Sequence, residues 1–188
     1  MSLYTVIHDV SETLRQLLER EITDSGNVAV TVNSPQRVSL NTNHLLNLYL
    51  YQVVESPYAK NRPALTVAVG SLQRAPLALS LYYMLTPYTQ DNDSNANEHL
   101  ILGDAMRVLY DNAIIADPLL TGSLRGSGEE LRVMLCRMNL EEQTRIWNAL
   151  QMSYRLSVCY EIHLAQVDSH VQREVARVGV QETRYGQR

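Results

Sequence analysis

The sequence predicts an α+β fold, with a mixed, mainly antiparallel sheet of about five strands, three flanking helices and a C-terminal arm. Residues 45–54 are apolar on both strand faces, which is typical of a strand covered on both sides. Three other segments repeat apolar residues at the spacing of one helix face. Strands and helices do not alternate regularly along the chain, and this argues against a doubly wound parallel sheet.

The chain begins with a predicted amphipathic helix over residues 3–21, in which valine, isoleucine and leucine recur at helical spacing. Ser2 can cap its start, and residues 23–26 end it. Valines then alternate with small or polar residues over residues 27–33, a pattern that predicts a half-buried strand.

Residues 45–58, LLNLYLYQVVESPY, carry the strongest strand signal. Both faces of the segment need cover, so it is predicted as a central strand of a layered sheet. A buried helix is the alternative, but the aromatic enrichment and the proline that ends the segment favour a strand. An aspartate at Leu48 or Leu50 is expected to abolish folding. The predicted faces hold Leu46, Leu48 and Leu50 on one side and Tyr49, Tyr51 and Val53 on the other.

A second long strand is predicted for residues 77–88, stopped by Pro87, because proline cannot donate to a strand ladder. Between the two long strands, residues 66–69, TVAV, predict a short edge strand. The second helix is predicted for residues 98–112. The apolar faces of the long strand and the helix hold Leu77, Leu79, Leu81, Tyr83 and Leu85, and Leu100, Ile101, Ala105, Val108 and Leu109, respectively.

The second half of the chain starts with residues 117–120, which predict one helical turn before a glycine-rich break. Residues 130–138 predict a strand. Asn139, followed three residues later by Glu142, is a helix-start signature, and the third helix is expected to end near Gln151.

The last predicted strand covers residues 156–164, with one face on the core and the other facing solvent or a partner. Residues 1–167 are therefore one predicted domain, and residues 168–188 form a C-terminal arm with four arginines, three acids and spaced valines. Both a docking arm and a disordered end are compatible with this composition. The core face holds Leu156, Val158, Tyr160, Ile162 and Leu164, and the opposite face holds Ser157, Cys159, Glu161 and His163.

Composition excludes several classes of function. The hydrophobic fraction of 45% is that of a globular chain, and the net charge of −4 argues against general binding of nucleic acid or anionic membranes. No segment approaches the roughly 18 apolar residues of a membrane span, and the first residues do not form a secretion signal. A soluble, cytoplasmic protein is expected, with Cys136 and Cys159 as small buried side chains in a reducing compartment.

Arginine and tyrosine are unusually frequent. Lys60 is the only lysine against fifteen arginines, and eleven tyrosines stand against one tryptophan and no phenylalanine. Both residue types are enriched at protein interfaces, although genomic base composition explains the arginines equally well. This composition favours an interaction protein, in which Glu161 and His163 are predicted as an exposed cross-strand or interface pair.

Motifs for catalysis and ligand binding are incomplete. Residues 122–128, GSLRGSG, lack the Lys-Ser/Thr end of a phosphate loop, and residues 91–102 lack the glycine and the glutamate of a calcium loop. The histidines form no metal-binding pair, and the cysteines form no zinc pattern. No catalytic residue, metal site or cofactor is predicted, and a small cytoplasmic enzyme that uses Cys159 or His163 is the remote alternative.

Five segments, taken in order, resemble a known family. They are SLYTVIHDVSETLRQLLE, LNLYLYQVVESPYAKNRP with Asn61 and Pro63 at its close, LALSLYYMLTPY, EHLILGDAMRVLYDN and LEEQTRIWNALQMSYRLSVCYEI. The chain resembles, over about residues 3–167, the N-terminal domain of the tail-terminator (cap) proteins of extracellular contractile injection systems, of the antifeeding-prophage and virulence-cassette type. In the last segment the matching positions are Leu140, Trp147, Tyr154, Ser157 and Tyr160.

The resemblance implies a non-enzymatic ring of six copies on the distal end of the inner tube, which ends tube and sheath polymerisation and joins the last sheath ring to the tube. The implied partners are further copies of this chain, the inner tube protein and the sheath protein, without nucleic acid or direct membrane insertion. Assembly is expected in the cytoplasm, before the particle is released or associates with a membrane.

The predicted arm supplies Arg173, Arg177 and Arg184 as candidates for sheath or neighbour contacts, with a solvated end as the alternative. Longer relatives carry a further C-terminal region, so contacts made through it are not expected from this sequence. A baseplate or tube-completion adaptor of the same kind of particle is the alternative function. A generic scaffold of a cell-envelope complex is a third.

Overall fold

A six-stranded sheet forms the centre of the protein. The computed structural model describes residues 5–56, 65–68, 71–73, 77–90, 95–167 and 172–174. The helices are α1 (Val6–Glu21), α2 (Ala96–Asp111) and α3 (Leu140–Ala149). The strands are β1 (Ala29–Thr31), β2 (His44–Glu55), β3 (Leu65–Ala68), β4 (Ser71–Gln73), β5 (Leu77–Thr89), β6 (Ile114–Ile115), β7 (Leu131–Leu135), β8 (Val158–Val167) and β9 (Gln172–Glu174).

The strand order of the large sheet is β1-β2-β5-β8-β7-β6, and a smaller sheet has the order β3-β4-β9. Among the described strands, β1 and β2 pair in parallel and every other pairing is antiparallel. The predicted α+β class is therefore confirmed. All five strongly predicted strands lie in the large sheet, where β6 is an additional strand of two residues. The helical alternative for residues 45–54 is wrong.

The middle of the large sheet is occupied by β5 and β8, whereas β2 lies one strand from the edge. The first residues of β2 are buried on both faces, but its last residues, from Gln52, are mostly exposed. The prediction of a central strand is therefore correct for the covered first half of β2 only. The buried and exposed parts of β2 meet at Tyr51, where the pairing with β5 changes register.

Tyr51 is an extra residue in β2. Leu50 pairs with Tyr83, and Gln52 pairs with the next residue, Tyr82, so Tyr51 has no partner of its own. A one-residue bulge exchanges the two faces of everything that follows it. Val53, predicted on the same face as Tyr51, instead lies opposite Leu81 on the other face, and 42% of it is exposed.

The prediction that strand β5 stops at Pro87 is wrong, because the strand continues to Thr89. Pro87 pairs with Leu46 of β2, while pairing with β8 ends at Leu85. Beyond Leu85 one side of β5 has no strand beside it in the described chain. A residue without an N–H is tolerated there because no ladder hydrogen bond is needed on that side.

Helices α1 and α2 cover one face of the sheet and form the main core with it. Burial of α1 follows its apolar spacing, and its first described residue is Thr5, so the predicted cap at Ser2 lies outside the described residues. In α2, Leu100 was predicted to be on the buried side but is 62% exposed, and Leu102 is buried in its place. The other four residues of the predicted face are buried, so the predicted face is wrong at Leu100 only.

Helix α3 covers part of the opposite face. Its start is the predicted one: Asn139 accepts from the N–H of Glu142 at 2.9 Å, and Glu142 accepts from the N–H of Asn139 at 2.9 Å. Trp147 packs with Met84 and Cys159 in a second apolar cluster. Cys159 is buried as its apolar surroundings predict, and Ser157 is buried as well instead of facing solvent or a partner. Leu156, predicted in the core, precedes β8 and is exposed.

The glycine-rich break is a docking element for α1. Residues 117–120 form a turn with a cis Asp117–Pro118 bond instead of the predicted helical turn. In the 3₁₀ turn that follows, Ser123 donates its N–H and its hydroxyl to the buried Asp9 carboxylate, at 3.0 and 2.6 Å. Gly122 has a φ of +59°, and a Cβ there would overlap the Asp9 carboxylate.

Gly122→Ala is expected to destabilise the protein by about 2–4 kcal/mol, because left-handed strain and a steric overlap add up. Gly126→Ala is the matched control: its φ is +72°, but nothing lies within 4 Å of the added Cβ, so only the strain of about 1–2 kcal/mol applies. Urea unfolding of both variants measures the difference. Equal midpoints would show that the contact with Asp9 does not matter.

The small sheet is attached at one end of the large one. Because β2 is antiparallel to β5 and β5 is antiparallel to β8, the end of β2, the start of β5 and the end of β8 lie at the same end of the large sheet. Strands β3 and β4 come from the β2–β5 connection, and β9 follows β8. The TVAV prediction is confirmed for residues 66–68, which lie in β3, whereas residue 69 lies outside the described residues. Strand β4 was not predicted. The division into a domain and an arm at residue 167 stays a prediction.

Candidate interaction surface

The face of the large sheet opposite α1 and α2, which we call the open face, carries a line of polar side chains on β5 and β8. Tyr82 lies opposite Glu161, and Ser80 lies opposite His163. The Tyr82 hydroxyl donates to Glu161 Oε1 at 2.9 Å, and the same oxygen is 3.2 Å from His163 Nε2. His163 Nδ1 is 3.1 Å from Ser80 Oγ. We call these four residues the polar ladder.

Both predicted interface residues of β8 belong to the polar ladder. The side chains of Glu161 and His163 are 22% and 19% exposed, so the pair is half-buried instead of exposed as predicted. On one side Ser80 and Tyr82 of β5 bond to the pair, and on the other side β7 is paired with the same two positions. Because a strand lies on each side, a partner reaches the pair from above the open face.

Ser80, His163 and Glu161 are joined in the order of a hydrolytic triad, but the arrangement lacks access. Ser80 is completely buried, in the middle of β5, with Val54 and His163 paired on its two sides. A nucleophile must reach a substrate carbonyl, and an oxyanion site must lie beside it. The geometry therefore does not support the enzyme alternative based on His163.

Cys159 is no better placed for chemistry. It is 2% exposed, opposite Met84 of β5 and in one apolar cluster with Trp147. Burial raises the pKa of its thiol to about 11, and a hydrogen bond from Tyr51 offsets only part of this effect. Nucleophilic cysteines have a lowered pKa and an exposed sulfur, so the thiol of Cys159 has the opposite properties.

A groove of about 740 Å³ lies between the open face and α3. Its apolar wall ends in Met134 and Leu135, which are 45% and 54% exposed. The pairing of β6 with β7 covers only Leu131 and Arg132, and Val133 donates to Ala113 O at 2.9 Å. The outer edge of β7 beyond Val133 therefore has no strand beside it in the described residues. The groove is lined by Tyr51, Gln52, Tyr82, Met134, Leu135, Cys136, Arg137, Met138, Glu142, Ile146 and Glu161.

Sequence reasoning missed this groove although it included Glu161. The signal in the sequence was the segment 131–136, in which five of six residues are apolar. Because only one face of this strand packs on the main core, the apolar side chains of the other face indicate a second apolar surface. A strand with apolar residues on both faces and one open edge is a common site for protein contacts.

The arginines predicted for the arm are placed only in part. Arg173 lies in β9, where it pairs with Leu72 of β4. Arg177 and Arg184 lie outside the described residues. Among the residues that the structure does describe, no three histidine, cysteine or acidic side chains group as metal ligands, and no helix is long and apolar enough to cross a membrane.

Alkaline pH is expected to destabilise the protein. Burial raises the pKa of Tyr83 and of Tyr160 to about 12, and that of Cys159 to about 11. The neutral forms are favoured by folding, so this stability is complete below about pH 9 and is lost as pH rises through 11–12. Urea unfolding from pH 8 to 11.5 should show a falling midpoint. An unchanged urea midpoint would contradict the predicted loss of stability at alkaline pH.

In a comparison with protein families, residues 9–181 match the family described as the Pvc16 N-terminal domain. The chain belongs to the Pvc16 N-terminal domain family. The resemblance noted in the sequence is thereby confirmed. The family match also passes residue 167 and includes the first part of the predicted arm. A search of curated proteins gives no match.

Two solved structures share the fold of this Pvc16 N-terminal domain. The first is the sheath/tube terminator of an extracellular contractile injection system, PVC, in the extended state: TM-score 0.68, 16% identity, 97% of this chain and 64% of that chain. The second is the cap of the anti-feeding prophage, a tube terminating cap: TM-score 0.60, 16% identity, 98% of this chain and 62% of that chain. The chain thus spans somewhat less than two thirds of either protein.

Proposed function

We propose that this protein is the cap of a contractile injection particle. It forms a ring on the distal end of the inner tube, ends the polymerisation of tube and sheath, and joins the last sheath ring to the tube. The observation that carries the proposal is the fold shared over 97% of the chain with a sheath/tube terminator. Membership of the Pvc16 N-terminal domain family supports it independently.

The proposed partners are five further copies of this chain, the inner tube protein and the sheath protein. A ring of identical subunits needs heterologous contacts, in which one surface of each subunit meets a different surface of the next. The structure offers a rigid sheet with the groove and the open edge of β7 on one side and β1 at the other edge. The function is structural and needs neither a catalytic residue nor a cofactor. Assembly takes place in the cytoplasm.

The polar ladder supports a contact through Glu161 and His163, because both remain half-buried and reachable from the open face. Arg173, Arg177 and Arg184 are the proposed contacts of the arm with the sheath or a neighbouring subunit. Arginine suits this role since its planar, weakly hydrated guanidinium pairs with carboxylates in two hydrogen bonds.

Deletion of the gene tests the proposed function. Without a terminator, tubes and sheaths of uncontrolled length are expected in electron micrographs, and the normal length should return when the gene is restored. A baseplate or tube-completion adaptor would instead leave no assembled particles. Light scattering of the purified protein should show hexamers or a tendency to form them. A strictly monomeric protein that binds neither tube nor sheath would exclude the cap function.

Two sets of variants test the arm. Truncation after Val167 removes β9, an edge strand of the small sheet, and is expected to leave a folded protein that assembles poorly. The variant Arg177→Ala/Arg184→Ala keeps β9 and tests the charges alone. Circular dichroism checks folding, and particle length measures capping. Normal capping by the truncated protein would show that the arm has no role.

A further inference from the structure

The two cysteines of the chain are direct neighbours across β7 and β8. Leu135 pairs with Tyr160 at the end of this ladder, so Cys136 and Cys159 occupy the next opposed positions. The N–H of Cys136 donates to Cys159 O at 2.8 Å. Hydrogen-bonded partners in antiparallel strands have Cα atoms about 5.5 Å apart, within the roughly 4.4–6.8 Å range of disulfides. Their Cβ atoms are also about 5.5 Å apart, so the two strands must approach by about 1 Å to reach the roughly 3.5–4.5 Å between the Cβ atoms of a disulfide.

The two side chains also lie on the same face and differ in access. Cys136 packs against the cluster that contains Cys159, so the two thiols point into one apolar region. Cys159 is 2% exposed, but Cys136 is half-buried and lines the groove. A small reagent can therefore reach Cys136 from the groove, whereas Cys159 can be reached only through Cys136 or by local opening.

We propose that Cys136 and Cys159 are the two ends of a reversible disulfide that links β7 to β8 when the protein meets a low-molecular-weight disulfide such as oxidised glutathione. The Cys136 thiolate attacks the reagent, forms a mixed disulfide and releases one thiolate. The Cys159 thiolate then attacks the Cys136 sulfur and releases the second. Two protein thiols are oxidised, and the reagent is reduced to two thiols that take up the two cysteine protons.

The cross-link strengthens the weak side of the sheet. Beyond Val133, β7 is held by β8 alone in the described chain, and the chain from Cys136 to Cys159 contains all of α3. Closing this segment removes conformations from the unfolded chain, so the oxidised protein should be more stable. The inference does not depend on the proposed function, because it concerns two side chains within one subunit.

The reaction should be slow near neutral pH and accelerate far into the alkaline range. Burial raises the pKa of both thiols, to about 12 for Cys136 and about 11 for Cys159. The charge of a Cys159 thiolate raises the pKa of Cys136 further. An exposed thiol with a pKa of about 8.5 stops gaining thiolate by about pH 9.5. The thiolate fraction of Cys136 and Cys159, and with it the rate of reaction, should instead rise about tenfold per pH unit up to pH 10.

Peptide mapping tests the disulfide on the full chain. The native protein is treated with oxidised glutathione at pH 8, 9 and 10, quenched with acid, alkylated and digested with trypsin without reduction. The expected product is residues 133–137 linked to residues 156–173 in a monomeric protein, with loss of both free thiols. A reducing agent should restore them. Urea unfolding of the oxidised form should show a folding equilibrium constant about a hundredfold higher.

Cys136→Ala and Cys159→Ala are the controls, and each should eliminate the linked peptide. Cys136→Ala is expected to fold normally because Cys136 is only half-buried, so it separates loss of the cross-link from loss of folding. Three results would overturn the proposal: only glutathione attached to Cys136, only dimers between chains, or the linked peptide formed solely in urea. A lower stability of the oxidised form would show that the cross-link strains the sheet instead of strengthening it.

Discussion

Leu48→Asp is expected to leave the protein unfolded. Leu48 is 1% exposed in β2, opposite Leu85, within the main core under α1 and α2. An unpaired carboxylate at this position loses its hydration and gains no hydrogen-bond partner, and the leucine contacts are lost as well. The combined cost of several kcal/mol is comparable with the whole stability of a domain, about 5–15 kcal/mol.

Val53→Asp is the matched control for this variant. It places the same charge on the same strand, but Val53 lies beyond the bulge and is 42% exposed, so the cost should stay below about 1 kcal/mol. Circular dichroism and size-exclusion chromatography compare the two proteins. Leu50→Asp should fall between them because Leu50 is only half-buried. A folded Leu48→Asp protein would show that β2 is not part of the core.

Trp147→Ala is expected to cost about 3–5 kcal/mol, which is typical of a large aromatic residue removed from a core. Trp147 is completely buried, and it is the residue through which α3 packs on Met84 and Cys159. Its Nε1 donates to Ser157 Oγ at 3.3 Å, so the substitution also leaves a buried hydroxyl with one partner fewer. Loss of this contact should free α3 from the sheet before the rest of the protein unfolds.

Leu140→Ala provides the control on the same helix. Leu140 is 63% exposed, so its truncation should change the stability by less than about 0.5 kcal/mol. Urea unfolding measures both variants, and hydrogen exchange of α3 amides shows whether this helix opens first in Trp147→Ala. A loss below about 1 kcal/mol for Trp147→Ala would mean that α3 is held mainly by other contacts.

Elements defined by short-range signals were predicted well. The start of α3 depends on two side chains three residues apart, Asn139 and Glu142, and both hydrogen bonds are present. The alternation in β8 and the two-sided apolar pattern of β2 depend on neighbours along the chain, and both segments are strands. The order of such segments also sufficed for the family, since it is a property of the chain alone.

Errors arose where distant residues decide. Nothing near Tyr51 in the sequence announces the bulge, because the extra residue exists only in relation to β5. Arg155 lies over the Tyr88 ring at 4.6 Å and donates to Glu98 at 2.6 Å, and these residues are far apart in the chain. The candidate site follows the same rule: Glu161 and His163 were found as a pair on one strand, but Tyr82 and Ser80 were not.

The sequence by itself determined the three helices and five of the six strands of the large sheet, the family to which the chain belongs, and that Glu161 and His163 share a face. These properties follow from periodicity and from contacts a few residues apart. Only the tertiary structure decided the strand order, the exchange of faces after Tyr51, the cover of β8 by α3, the groove beside β7 and the contact between Cys136 and Cys159. The physical reason is that strand pairing and helix packing join residues across the chain, and one strand pattern is compatible with many partners.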